Sequence, residues 1–482
     1  MSETVAPEPK AKGPKNVVLE PAHPGTSPIL VRGKLSRRYL TWYTLLSISI
    51  TAVWGAVLGI LLPNQVQMLE FANWFTGANA GIDLQQLTIL QQQISAGTAT
   101  ATPTQAEQLA ILAQFDSSRA TSLAIITSIG VVMTMLIQPI VGVFADRTRT
   151  RWGRRAPWIL FGTLAGSMLL VLVRFSPTIA LLAVAFMLAQ AVINIALGPL
   201  TTTVADRMPE NRRGTASALG GFGNFAGGVL GGVLAGAFFA TLGLDFYFVI
   251  AAAVAFTGVM FVLFARDASS KDLVVEPLNW KKFFLGFTIA LRSRNYRWVW
   301  VARILLTFGY TVSTALALYM LQSYVRPALS QLEATQLSPL LALTGVPFTI
   351  IALFVAGKLS DKVGKRRIFV VIASILMAVS MLIPIISPTV PALFIQGITA
   401  GIAFGIYLPV DQALFIDVLP DQESAGRDLG VAGLGSNLGQ ALGPILAGAV
   451  VAFTGGYVGV WVAAAVLVVL AAVALIPLRG VK

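Results

Sequence analysis

The chain has 482 residues, of which 34 are Lys or Arg and 21 are Asp or Glu, so its formal net charge is +13. Only 11% of the residues are charged and 56% are hydrophobic, whereas soluble domains carry roughly 25% charged residues. With no cysteine and with His23 as the single histidine, this composition excludes a soluble protein, a disulfide framework, His or Cys metal sites and a Ser-His-Asp triad. We therefore expect neither an enzyme nor a bound cofactor.

The hydrophobic residues form 12 long segments. Each has roughly 20 apolar residues, the length that crosses a bilayer core. Backbone inside a bilayer must satisfy its own hydrogen bonds, and barrel strands would be shorter and would alternate, so we predict an all-α integral membrane protein. The predicted helices 1 to 12 cover residues 40–62, 119–144, 156–175, 178–204, 215–241, 244–265, 297–325, 337–358, 368–386, 391–416, 430–453 and 457–478.

Lys and Arg fall on one side of the predicted bundle. A tail, residues 1–38, precedes helix 1 and is predicted to be disordered; no A-x-A-like cleavage site follows helix 1, which we interpret as a retained helix and not a signal peptide. With a cytoplasmic N-terminus, 30 of the 34 cations lie in cytoplasmic segments. Positively charged short loops stay inside, so we expect a multi-pass protein of the cell membrane with both termini cytoplasmic. The net charge reflects topology, and no nucleic acid partner is expected.

Two short patterns occur twice. Gly142-Val-Phe-Ala-Asp146-Arg follows helix 2 and Gly357-Lys-Leu-Ser-Asp361-Lys follows helix 8. The pattern Asp-x-x-Pro, which ends at Pro209, follows helix 4, and a second copy of the pattern follows helix 10. The pattern predicts two six-helix halves, and transporters commonly bind substrate near the bilayer midplane between such repeats. The predicted domains are the tail 1–38, the N-terminal half 39–265 with an insertion at about 64–118, a cytoplasmic linker 266–296 and the C-terminal half 297–482.

The repeated loops resemble the two cytoplasmic signature loops of the major facilitator superfamily. The first copy, which runs into Arg154-Arg155-Ala-Pro-Trp158, is similar to the loop of the glycoside-pentoside-hexuronide cation symporters and the sucrose-transporter-like group. The resemblance covers residues 39–480, without the tail or the insertion. It implies the major facilitator fold and secondary transport of a small solute by alternating access.

The resemblance also implies that these loops gate the cytoplasmic side. Glycine allows a neighbouring helix to approach closely, and the Asp side chains can accept hydrogen bonds from a helix N-terminus while pairing with Arg or Lys. Topology anchoring and packing are the alternative interpretation. The candidate gating residues are Gly142, Asp146, Arg147, Arg149, Gly153, Arg154, Arg155, Gly357, Asp361, Gly364, Lys365 and Arg366.

Two charges stand out inside the predicted helices. Arg303 lies six residues after Arg297 in helix 7, and Asp411 lies six residues before Asp417 in helix 10. At about 1.5 Å per residue, both lie roughly 9 Å inside the cytoplasmic boundary. Charges at such depth are functional candidates, and the resemblance places helices 1, 4, 7 and 10 around the central cavity. We hypothesise that the two side chains pair or compete during transport, with Asp411 protonated in one state; a permanent structural ion pair is the alternative.

Polar and aromatic residues on the same four helices complete a candidate substrate site. Sugar hydroxyls need amide and carboxyl partners, and sugar C–H faces pack on aromatic rings. Any one of these residues can equally form a helix-to-helix hydrogen bond. The candidates are Trp54, Gln190, Asn194, Tyr310, Tyr319, Tyr407 and Gln412.

The insertion has four acidic residues and no Lys or Arg before residue 119. Its helical spacing of Leu and Ile predicts one or two short helices over the outer mouth, and Thr104-x-x-Glu107 resembles a capping box. A lid or partner-binding role and a passive insertion both fit this pattern.

The predicted function is proton-coupled uptake of a sugar or glycoside by a monomer in membrane lipid. The first alternative is a proton-coupled exporter of hydrophobic or cationic compounds. Drug antiporters of the superfamily carry Gly-Pro late in helix 5, where this chain has Gly227-Gly228, although Gly443-Pro444 occurs in helix 11. Sodium coupling is disfavoured because melibiose-type relatives place acids within helices 1 and 2, and this chain shows none before Asp146 in those predicted segments. A membrane enzyme or receptor would need a catalytic constellation or a soluble domain, and neither is present in the sequence.

Overall fold

The computed structural model describes residues 17–19, 25–275, 288–419 and 425–478. Each of the 12 predicted membrane segments overlaps a helix in this part of the chain, so the predicted all-α class is confirmed. In chain order these are α1 Lys34–Trp74, α2 Pro103–Asp146, α3 Ala156–Arg174, α4 Ile179–Arg207, α5 Glu210–Leu242, α6 Phe246–Phe264, α7 Arg294–Thr314 continued by Ala317–Ser323, α8 Gln331–Val363, α9 Arg366–Ile386, α10 Val390–Asp417, α11 Ala425–Thr454 and α12 Val458–Ala474.

Helix length and composition alone do not give the predicted number of membrane crossings. Among the described residues, nine helices are long and apolar enough to cross a membrane, or up to ten if the two parts of α7, bent by 42°, form one span. The number is below 12 because α5 and α6 run together as Glu210–Phe264 and because α12 has only 17 residues. Twelve crossings therefore stay a prediction.

Helix packing repeats with an offset of six helices. The helix pairs α1–α5, α2–α4 and α3–α6 pack along their lengths, as do α7–α11, α8–α10 and α9–α12. The two halves meet mainly through α2 against α11 and α5 against α8. This is the arrangement expected of two pseudo-symmetric six-helix halves, whose exact domain boundaries stay predictions.

Glycine allows α1 and α5 to approach closely. A Cβ added at Gly227 would lie 2.1 Å from Thr51 Oγ1 and 2.3 Å from the backbone oxygen of Ile48, whereas one added at the adjacent Gly228 would meet no atom within 4 Å. We expect Gly227→Ala to lower the thermal midpoint by several degrees, because the helices must separate. Gly228→Ala should leave the midpoint unchanged or raise it slightly, since alanine favours helix by about 1 kcal/mol. Thermal melts of the detergent-solubilised variants test this, and equal midpoints would contradict it.

The bundle has two distinguishable ends. We call the end with Asp146, Arg155, Asp361 and Arg366 the motif end, and the end with residues 64–103 the insertion end. At the insertion end the halves are hydrogen-bonded: Asn64 Nδ2 donates to Thr335 Oγ1 at 3.1 Å, Tyr319 Oη donates to the Pro63 oxygen at 2.8 Å, and Gln92 Nε2 donates to the Val325 oxygen at 2.8 Å.

The spacing between α2 and α11 changes along their length. A Cβ added at Gly448, near the insertion end, would lie 2.7 Å from Ala124 Cβ, whereas Gly142, Gly430 and Gly433, toward the motif end, have nothing within 4 Å of an added Cβ. The two halves are thus in contact at the insertion end, while these three glycines toward the motif end face open space. The expected close helix approach at Gly142 is wrong in this conformation, and at Gly357 the nearest atom is Pro409 Cβ at 3.9 Å.

The expectation of a disordered tail needs correction. The tail is not wholly disordered, because Val17–Leu19 pairs antiparallel with Ile29–Arg32 and Arg212 Nη1 donates to the Val31 oxygen at 2.6 Å. The rest of the tail prediction, on residues 1–16 and 20–24, lies outside the described residues, as do linker residues 276–287.

The insertion is built largely from extensions of α1 and α2, with one short α-helix, Leu84–Ser95, between them. We call it the insertion helix, and it confirms the predicted short helix. The predicted capping box at Thr104 and Glu107 is wrong by two residues: Thr102 caps α2 and exchanges hydrogen bonds with Gln105. Pro103 has no N–H to satisfy and its fixed φ suits the first helical position, so the helix begins there.

Candidate functional site

Arg303 and Asp411 form a buried ion pair. Arg303 Nε donates to Asp411 Oδ2 at 2.8 Å, and its Nη2 donates to the same oxygen. The residues are 8% and 5% exposed. Their predicted common depth on α7 and α10 is therefore confirmed. Burial removes both charges from water, so each depends on the other for compensation.

Neighbouring side chains hold the guanidinium in place. The Phe415 ring centroid lies 3.9 Å from Arg303 Cζ, a cation–π arrangement. Gln412 Oε1 lies 3.4 Å from Arg303 Nη2, a long hydrogen bond. Thr307, one helical turn after Arg303, donates a hydrogen bond to the Arg303 backbone oxygen. The predicted site residue Gln412 thus lies beside the ion pair.

Aromatic rings connect this pair to the space between the halves. Tyr310 stacks on Phe404 with ring centroids 5.0 Å apart, and Phe404 lies 6.3 Å from the Tyr407 ring. Tyr407 precedes Asp411 by one helical turn, and its hydroxyl is buried beside the Asp411 carboxylate. Tyr310 and Tyr407, both candidate residues, therefore belong to the same cluster as Arg303 and Asp411.

A cavity of about 480 Å³ adjoins Tyr310 and Phe404. Its walls come from α5 in the N-terminal half and from α7, α8 and α10 in the C-terminal half. Hydroxyls of Thr314, Ser338 and Thr349 and the amide of Gln396 line it among apolar side chains. The volume and the mixture of rings, hydroxyls and an amide suit a small polar solute.

The candidates on α4 form a separate polar cluster. Asn194 Nδ2 donates to Thr134 Oγ1 at 3.1 Å, and its Oδ1 accepts from Gln138 Nε2 at 3.0 Å. These bonds join α4 to α2, so Asn194 serves helix packing in this conformation. Gln190 is buried with its Oε1 unpartnered. Gln190 Oε1 is therefore the acceptor of this cluster that has no hydrogen-bond donor among the described residues.

Tyr319 lies away from the Arg303–Asp411 pair. It is fully buried at the insertion end, where its ring centroid lies 4.5 Å from Arg119 Cζ, so it does not share one site with Asp411. Trp54 is half-buried and packs on the hydrophobic core, and its place in the site stays a prediction.

A buried charge cluster at the insertion end was not predicted from the sequence. Arg119 is 2% exposed and pairs with Asp116 at 2.7 Å. It donates to Gln322 Oε1 at 2.9 Å and Ser323 Oγ at 2.6 Å, both in the other half. Glu70, 5% exposed, accepts from Ser118 and Ser122 on α2. The expectation of only two buried charges is therefore wrong, and so is the absence of acids from helices 1 and 2 on which the case against sodium coupling depended.

The two repeated loops form matching ion-pair triads at the motif end. Arg155 binds Asp146 at 2.6 Å and Asp206 at 3.0 Å, joining the ends of α2 and α4 to the start of α3. Arg366 binds Asp361 at 3.3 Å and Asp417 at 2.6 Å, joining α8, α9 and α10 in the same way. Arg154 adds a second bond to Asp206. Each triad lies within one half and ties three helices together.

The remaining candidate gating residues have varied surroundings. Gly153 and Gly364 adopt φ of +88° and +67°, which glycine accepts readily. Gly364 ends α8 as its C-cap. Arg147 Nη1 donates to the Val143 oxygen at 3.5 Å, while Arg149 and Lys365 are exposed. Their gating role stays a prediction.

Burial should make the first triad matter more for stability than the second. The Arg155 side chain is 6% exposed and that of Arg366 is 25% exposed. Exposed pairs contribute about 0–1 kcal/mol, whereas removing one partner of a buried pair costs about 3–5 kcal/mol. We expect Arg155→Ala to lower the thermal midpoint clearly more than Arg366→Ala. Thermal melts of both variants measure the two midpoints. Equal midpoints, or a lower midpoint for Arg366→Ala, would disprove the larger contribution of the Arg155 triad to stability.

The family model described as MFS/sugar transport protein matches residues 117–478. A general alpha-glucoside permease of Schizosaccharomyces pombe is 28% identical over 127 residues, covering 23% of this chain and 23% of that protein. A lactose permease of Lactobacillus helveticus is 27% identical over 109 residues, covering 20% and 17%. The aligned segments thus span less than a quarter of these relatives' own lengths.

Solved structures share the fold. The nucleoside transporter NupG aligns with a TM-score of 0.63 and 14% identity over 92% of this chain and 100% of that chain. A bacterial homologue of the human lysosomal transporter Spinster, in an inward-facing and unoccupied conformation, aligns with a TM-score of 0.58 and 14% identity over 92% and 94%. With the family model covering most of the chain, this protein belongs to the MFS/sugar transport protein family and is a multi-pass membrane protein.

Proposed function

We propose that this chain couples the uptake of a sugar or glycoside to proton entry across the cell membrane. The observation that carries the proposal is the buried Arg303–Asp411 pair, linked through Tyr407, Phe404 and Tyr310 to a cavity walled by both halves. Protonation of Asp411 would release Arg303, and a solute hydroxyl can replace the lost carboxylate as acceptor. Binding of the proton and of the solute would then favour each other.

The cavity lining supports a sugar. Tyr310 and Phe404 offer flat rings for C–H faces, while Gln396, Ser338 and Thr349 offer hydrogen bonds to hydroxyls. The names of the alpha-glucoside and lactose permeases agree with this substrate class. The preferred sugar would be the one whose shape matches this cavity.

We further propose that the motif end faces the cytoplasm. The loops, the tail and the linker that connect at this end together carry most of the chain's Lys and Arg, and such positively charged segments remain inside. The described conformation, with the halves hydrogen-bonded at the insertion end, would then be closed on the side away from the cytoplasm. Asp146, Arg155, Asp361 and Arg366 would stiffen each half as it rocks about the central site.

Proteoliposomes with a pH-sensitive dye inside test the proposal. Maltose, sucrose, lactose and glucose would be added outside, with insertion orientation determined by protease access. Sugar-induced acidification of the interior supports proton symport. Sugar uptake that needs external Na⁺ and moves no protons would identify Na⁺ as the coupling ion in place of the proton. Proton movement with lipophilic cations alone would identify an exporter in place of an importer.

A further inference from the structure

A second cavity, of about 630 Å³, lies under the insertion helix at the insertion end. Its walls come from α1, α2 and the insertion helix on one side and from the end of α7 and the start of α8 on the other. It contains none of the residues around Arg303 and Asp411. It is therefore a separate space, built by the insertion that the family resemblance does not cover.

The lining combines aromatic faces with hydrogen-bonding groups. Phe71 and Phe115 contact each other edge to face, with centroids 6.3 Å apart, and both line the cavity. Gln67, Gln85, Gln322 and Arg119 also line it. Arg119 Nε and Gln322 Nε2 are buried within the wall and do not face the cavity, so the amides of Gln67, Gln85 and Gln331 are the groups that this wall offers to a solute.

The charges of the lining are balanced by the protein itself. Arg119 pairs with Asp116 at 2.7 Å, and Arg174 pairs with Asp245 at 2.8 Å. An anionic ligand would find no uncompensated positive charge among these groups. A neutral solute with several hydroxyls and an apolar face matches the lining better.

We propose that this cavity is a second binding site for a neutral polyhydroxylated solute such as a sugar. Because Gln67 and Phe71 belong to one half and Gln322 and Gln331 to the other, the site is complete only while the insertion end is closed. A bound solute therefore stabilises the conformation that is closed at the insertion end. At high external concentration it slows transport, since the insertion end must open for each cycle.

Equilibrium binding to the purified full-length protein tests the proposal, with radiolabelled maltose, sucrose, lactose and raffinose as probes. We expect two sites per chain for at least one probe. Leu244→Trp, which fills the cavity, and Phe71→Ala, which removes a ring, should each abolish one site and leave the other. Gln86→Ala is the matched control, because Gln86 is exposed on the same insertion helix and does not line the cavity.

The outcomes separate this site from the transport function. A single site that both variants leave intact, together with normal sugar uptake, overturns the second site alone. Loss of one site with uptake retained, and with less inhibition at high sugar concentration, supports it. Absence of both binding and uptake for all four probes overturns the second site and the proposed function together.

Discussion

Replacing Arg119 by Gln is expected to open the insertion end. In the described conformation Arg119 bonds to Gln322 and Ser323 across the two halves and to Gln67 in its own half. These bonds have to break whenever the insertion end opens, and the freed groups then become solvated. Loss of charge-assisted bonds costs about 1.5–3 kcal/mol, so the ratio of closed to open insertion end should fall by roughly 10- to 100-fold.

Because the sequence has no cysteine, closure of the insertion end can be measured with two introduced cysteines, without a background reaction from native thiols. Gln85 Nε2 and Glu333 Oε2 lie 3.4 Å apart across the halves, so a short bifunctional thiol reagent that joins Gln85→Cys to Glu333→Cys reports closure as crosslinking yield. We expect that yield to fall strongly when Arg119→Gln is added. The control is Arg174→Gln, because Arg174 pairs with Asp245 inside one half and should leave the yield unchanged. Equal yields in both backgrounds would show that Arg119 does not hold the ends together.

The helix positions were predictable because continuous apolar runs leave few alternatives in a bilayer. The helix ends were not. Beyond Pro63, α1 continues through Asn64, Gln67 and Glu70, all buried, and a hydropathy pattern treats such polar residues as a loop. They are helical because neighbouring helices and the other half supply their hydrogen-bond partners, which sequence spacing does not reveal.

The same contrast explains which parts of the site were found. Arg303 and Asp411 stood out as charges in apolar surroundings, and their equal depth predicted the pair. Arg119 stood at the edge of an apolar run and was interpreted as a loop cation, although it is more buried than Arg303. Asp206 and Asp417 were recognised as a repeat, but their bonds to Arg155 and Arg366 depend on where helix ends meet, which only the structure provides.

Asp411→Asn is expected to separate coupling from solute movement. The amide keeps the shape and can accept a hydrogen bond from Arg303, but it cannot take up a proton. If Asp411 couples transport, sugar-driven proton entry and accumulation against a gradient should fall at least tenfold, while exchange of labelled for unlabelled sugar continues. Asp417→Asn, six residues further along α10 and 39% exposed at its side chain, is the control and should retain coupling.

A double variant distinguishes coupling from a purely structural ion pair. Asp411→Asn alone leaves the buried Arg303 charge uncompensated, which costs about 3–5 kcal/mol, whereas removing both charges is often close to neutral. Arg303→Gln with Asp411→Asn should therefore recover much of the thermal midpoint lost in the single variant. If the pair is only structural, proton-coupled uptake returns with stability. If Asp411 carries the proton, stability returns and coupling does not, because the double variant has no group at this position that titrates.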